Sequence, residues 1–158
     1  MRRNINNNVN SAIKRMQKKT HLAFGLLIFT IFFYFDKQSV IYFWAPFIGA
    51  VVPDLDILEF FRKWHRVLFH NIIFLWICVI ALWLIRLPSV AIEMFTLGFI
   101  SHILLDCMTV TGINILQPFS QEPNIKWFIE TGSWMDYAVF VLLVFISGII
   151  LINSPIGV

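Results

Sequence analysis

The stretch richest in chemistry is Ser101-His102-Ile103-Leu104-Leu105-Asp106. His102 and Asp106 are four residues apart, so on a helix they sit about 40° apart around the axis and face the same way. An imidazole and a carboxylate stacked like this can grip one metal ion, or one can orient the other. A polar pair closing a helix at a water boundary has the same spacing, so the rest of the chain must decide. Pro53-Asp54-Leu55-Asp56 reads as a rigid carboxylate corner: proline stops the incoming helix and two Asp follow within one turn. His65-Arg66-Val67-Leu68-Phe69-His70 places two imidazoles five residues apart. On one helix they point about 140° apart, so both reach one ion only if the helix begins between them. Arg66 offers a planar cationic fork suited to phosphate or carboxylate, and equally an anchor beside Arg62 and Lys63. His21, Glu130 and Asp136 complete the candidate ligands. Cys107, next to Asp106, is a soft donor or simply a packed side chain.

These residues need elements to hold them, and the composition says which kind. Of 158 residues 59% are apolar, 17 are Phe, and only 13% are charged, against roughly 25% in a soluble domain. A soluble fold this small could not hide that much apolar surface, so lipid must be its solvent. The net charge of +3 does not point to nucleic acid, because six of the twelve Lys and Arg lie in the first nineteen positions, as in a basic membrane flank. Cys78 lies in an apolar run and Cys107 at a helix end, so no disulfide is expected. After a polar, flexible lead at 1–19 come apolar runs at about 21–35, 39–53, 71–87, 89–107 and 137–153. The first has no small-residue cleavage site and is kept as a span. The runs are short: sixteen helical residues cover about 24 Å of a ~30 Å hydrocarbon core. The expected fold is all-α, one membrane-embedded bundle of about five short transmembrane helices over 20–158. Residues 107–136, with Gly112, Pro118, Pro123 and Gly132 among aromatics, form an interfacial flap.

With the N-terminus inside, the inner segments carry Lys or Arg at 2, 3, 14, 15, 18, 19, 62, 63, 66 and 126, and the outer side keeps only Lys37 and Arg86. Ten against two follows the positive-inside rule. The same threading brings His21, Asp54, Asp56, His65, His70, His102 and Asp106 to the cytoplasmic face at one depth. Ionisable groups at a bilayer boundary are costly unless paired, metal-bound or hydrated, so such a cluster is a functional site by default.

The ordered series Thr20-His21, Pro53-Asp54-Leu55-Asp56, His65-Arg66 with His70, Ser101-His102 with Leu105-Asp106, then Thr109, Gly112, Leu116 and Pro118-Phe119 resembles the YdjM-like family of predicted inner-membrane metal-dependent hydrolases. Val67 and Asn71 depart from the small residue and serine expected around the paired histidines. A fainter likeness, His-x-x-x-Asp with scattered Asp and His on helices, points to the zinc-dependent phospholipase C and nuclease fold. The resemblance implies a hydrolase of a phosphoester or other ester in a membrane lipid or lipid-linked substrate. Its metal ligands would be His21, Asp54, His65, His70, His102 and Asp106. The donor mix suits one or two divalent cations, zinc foremost, with manganese or iron tolerated. Asp56 would act as general base and Arg66 would steady developing charge. Two other readings stay open: an ion or solute transporter, and a structural membrane protein with a non-catalytic metal site. Neither reading involves nucleic acid.

Overall fold

The computed structural model describes residues 2–57, 69–110, 113–116 and 129–155, with side chains from 18 to 54 and from 69 onward within those ranges. Helix α1 runs Arg2–Phe35, taking in the basic lead and the first apolar run. Asp36 ends it: its carboxylate accepts the Gln38 N–H at 2.9 Å and starts a 3-10 turn over Lys37–Tyr42. Helix α2, Trp44–Val51, follows and passes into a second 3-10 turn, Val52–Ile57. Helices α3 (Ile72–Leu84), α4 (Ser89–Cys107) and α5 (Trp134–Ile152) complete the bundle.

The second apolar run is thus jointed where one continuous helix was expected. Proline explains the joints. Pro46 has no N–H for the residue four before it, so a helix can start just ahead of it but cannot run through it, and Pro53 repeats the effect at the far end of α2. Six 3-10 residues at about 2.0 Å and eight α residues at about 1.5 Å still cover roughly 24 Å, the height of a sixteen-residue helix. Among the described residues, three helical segments can cross a membrane by length and composition: Lys18–Phe35, Ser89–Cys107 and Trp134–Ile152. α3, at thirteen residues, is shorter.

Two contacts set the direction of the outer pair. Thr20 donates to Asp136 at one end, and the Lys37 ammonium donates to the Ser154 hydroxyl at the other. α1 and α5 therefore run parallel. α4 runs the opposite way, since its last turn meets the start of the apolar part of α1. It is also the axis of the bundle: 61% of its spanning window is buried, against 33% for α1 and 17% for α5. Met94, Phe95, Phe99 and Ile103 pack with Ala45 and Leu75 into the core, while Trp83, Phe145 and Ile152 remain largely exposed. So wide an apolar exterior on so small a chain fits contact with lipid.

α2 lies against α4 at backbone distance. A Cβ on Gly49 would collide with the Phe95 carbonyl, and one on Gly98 with the Pro46 carbonyl. Small residues on facing helices allow this approach, and in lipid close packing is the main attraction between helices. At the other end of α3, Arg86 takes a left-handed conformation (φ 59°), with Arg86 N–H to Trp83 and Leu87 N–H to Leu82 closing the helix before Pro88 opens α4.

Candidate metal centre

Four separate segments deliver five side chains to one end of the bundle. His21 comes from α1, Asp54 from the 3-10 turn that follows Pro53, and His102 with Asp106 from the last turns of α4. His70 sits just ahead of α3. Asn71 caps that helix, its side-chain oxygen accepting the Phe74 N–H at 2.9 Å, so the departure from a serine at this position keeps a capping side chain. Thr109 donates to the Asp106 carbonyl at 2.7 Å and helps to close α4 beneath the cluster.

The functional atoms converge. His70 Nε2 lies 3.3 Å from His102 Nε2 and 3.3 Å from Asp106 Oδ2. His102 Nε2 is 3.5 Å from the same oxygen, and Asp54 Oδ1 is 3.9 Å from both ring nitrogens. His21 Nε2 faces the other carboxylate oxygen, Asp106 Oδ1, at 3.5 Å. His102 is fully buried, His21 and His70 nearly so, and Asp106 is 6% exposed. Asp54, with a fifth of its side chain exposed, is where the cluster opens.

This donor set fits a divalent cation. His102 Nδ1 is 2.7 Å from the Ala50 carbonyl; a carbonyl only accepts, so Nδ1 carries the proton and Nε2 presents a lone pair to the cluster. That is the outer contact a metal-ligating histidine makes, and it fixes both tautomer and ring angle. His21 Nδ1 is buried without a hydrogen-bond partner and Nε2 has only the long 3.5 Å contact with Asp106, a costly arrangement unless another species completes it. Four donors at ~2.0–2.1 Å from a tetrahedral ion stand about 3.3–3.4 Å apart, close to the separations seen. Among the described residues, two groups of three qualify by distance: His21 with His102 and Asp106, and Asp54 with His70 and His102, the atoms of each lying within 4.8 Å of one another.

Of the residues singled out by sequence, His21, Asp54, His70, His102 and Asp106 are brought together. His65 and Arg66 lie outside the described residues, as does the side chain of Asp56. Much of the flap, at 111–112 and 117–128, also lies outside them; its two flanks meet in an isolated bridge between Thr109 and Ile129. Asp136 stands beside the cluster in another role. It accepts Thr20 Oγ1–H at 2.6 Å on one oxygen and the Gly132 N–H at 2.9 Å on the other, tying α5 to α1. Ser133, three residues before it, caps α5, a capping spacing that sequence displays and that a search for ligands passes over. Ser101 donates to the Gly98 carbonyl at 2.7 Å within its own helix. Cys107 is packed in the core, and both cysteines are free. The role of the Ala50 carbonyl had no signal in sequence, because a backbone group has none.

The YdjM inner membrane protein family matches residues 16–157 of the chain. A relative in Bacillus subtilis (strain 168), the uncharacterised protein YvsG, is 26% identical, the match covering 78% of this chain and 87% of the relative. No solved structure matches.

Proposed function

Because the chain belongs to the YdjM inner membrane protein family, and gathers three histidines and two aspartates at one end of its bundle, we propose that it is a membrane-bound, metal-dependent hydrolase. Its substrate is an ester, foremost a phosphoester, in a lipid or lipid-linked molecule. The convergence of the five side chains carries this reading. His21, Asp54, His70, His102 and Asp106 would hold a divalent cation, zinc foremost, which when bound would lower the pKa of water towards ~7 and so make a nucleophile available at neutral pH. The protein does the rest. Ala50 fixes the His102 ring, Asp56 takes the proton as general base, and Arg66 neutralises charge developing on the substrate.

A cleft supports the choice of lipid. It measures about 460 Å³ and is lined by Lys19, Thr20, Asp136, Tyr137 and Phe140. Thr20 and Asp136 also line the small cavity that His21 and Asp106 share. An apolar cleft with one cation at its rim suits an acyl chain with an anionic head. Lys37 and Arg86, the two cations assigned outside by sequence, lie just past the ends of α1 and α3, away from the cluster. Their placement supports a reading in which the site and the N-terminal segment face the cytoplasm, in a chain that crosses several times.

Detergent-purified protein, loaded with zinc and assayed on bis(p-nitrophenyl) phosphate and a short-chain phosphatidyl lipid, tests the reading. Hydrolysis should disappear with 1,10-phenanthroline, return with zinc, and be absent in His102→Ala. Turnover that survives chelation overturns it, as does a metal-loaded protein that cleaves neither probe.

A further inference from the structure

The His21 and His102 rings are stacked, their centroids 3.9 Å apart and their planes 14° from parallel. Distance alone would let both bind one ion together with Asp106. The ring planes do not. An imidazole donates its lone pair within the plane of the ring, and an ion shared between two nearly parallel rings would lie roughly 1.7–2 Å out of each plane. That offset nearly equals the whole ~2.0–2.1 Å metal–nitrogen bond. His21 and His102 therefore cannot be ligands of the same ion.

Both Nε2 atoms nevertheless face the same carboxylate, each on a different oxygen: His21 on Asp106 Oδ1 and His102 on Asp106 Oδ2, each at 3.5 Å. Rings that point the same way, one stacking distance apart, place their lone pairs at about the ~3.5–4 Å spacing of two-metal hydrolytic sites. Resting on the metal-dependent reading above, we propose that the centre takes two divalent cations bridged by the carboxylate of Asp106. His102, His70, Asp54 and Asp106 Oδ2 form the closed, four-donor position. His21 and Asp106 Oδ1 form the second, which has only two protein donors among the described residues and stays open to water and substrate.

The surroundings of His21 agree with this division. Its ring is 2% exposed, and the polar group facing Nε2 is Asp106 Oδ1 at 3.5 Å, while Nδ1 is buried with no hydrogen-bond partner. It borders a cavity of about 20 Å³ shared with Thr20, Asp106, Thr109 and Asp136, enough for one water-sized group. That cavity and the apolar cleft share the hydrogen-bonded pair Thr20 and Asp136 as a common wall. The open position therefore lies on the side from which a lipid head group would enter.

Elemental analysis after loading with manganese and removal of excess, together with electron paramagnetic resonance, tests the assignment. Wild type should hold two ions per chain and show an exchange-coupled manganese pair. His21→Ala should hold one and give the isolated six-line signal. His21→Phe, which keeps the stack on His102 and removes the donor, should also hold one, so a folding defect in the alanine variant does not blur the result. One ion per chain in wild type overturns the two-ion centre and leaves the single-metal hydrolase standing. Two ions retained in His21→Phe, or none, also overturn it. Wild type that holds no metal overturns both readings.

Discussion

At the scale of single residues, the centre depends on groups that touch no substrate. Thr20 and Asp136 are 116 positions apart in sequence and meet at 2.6 Å in a buried hydrogen bond. Thr20→Val removes the donor and leaves a buried carboxylate with one partner fewer, at a cost of about 1.5–3 kcal/mol. The thermal midpoint in detergent should fall by several degrees while the metal count per chain stays that of wild type. An unchanged midpoint would show that this contact does not hold α5 to α1. His102 and Asp106 were legible in sequence because their spacing of four is a helical spacing. His70 was legible only by type: sequence could not say whether it or His65 reaches the cluster, since the answer depends on where α3 begins. Asn71 fixes where α3 begins, capping it directly after His70, and His70 reaches the cluster; His65 lies outside the described residues.

At the scale of elements, the approach of α2 to α4 positions His102. Gly49 and Gly98 are the two places where the backbones meet. Gly49 precedes Ala50, whose carbonyl holds His102, and Gly98 lies one helical turn before His102. Gly98→Ala places a methyl on the Pro46 carbonyl, so the helices must separate. Overpacking of this kind costs about 1–3 kcal/mol. Moving the Ala50 carbonyl should also weaken metal affinity by about 10–100-fold, as read by competition with a chromogenic chelator. Gly148→Ala is the control: its Cβ meets nothing within 4 Å, and neither stability nor affinity should fall. The periodicity of the sequence suggested a helix for residues 39–53; prolines at 46 and 53 made it a jointed one. The joint places the Asp54 turn, with Ala50 and His102, at the centre's wall.

At the scale of the molecule, the five apolar segments run alternately between a cluster end and a far end. His21, Asp54, His70 and Asp106 mark the first, Lys37 and Arg86 the second. This polarity predicts topology. Alkaline phosphatase, active only outside the cytoplasm, should be active when fused after Pro155 and inactive when inserted at 113–116. The reverse pattern would place the metal centre on the outer face and remove the argument for a cytoplasmic lipid head group.

By itself, the sequence determined that lipid is the solvent, that the chain is helical, and that His21, Asp54, His70, His102 and Asp106 belong at one end of it. Each of these follows from composition, or from counting residues along short apolar runs, and needs no knowledge of neighbours. Only the tertiary structure decided which ring faces which oxygen: the stack of His21 on His102, the two sides of Asp106, the carbonyl behind Nδ1. Those relations join residues up to 85 positions apart. The last of them is set by how closely α2 and α4 can pack, a distance fixed by Gly49 and Gly98, whose importance no local pattern reveals.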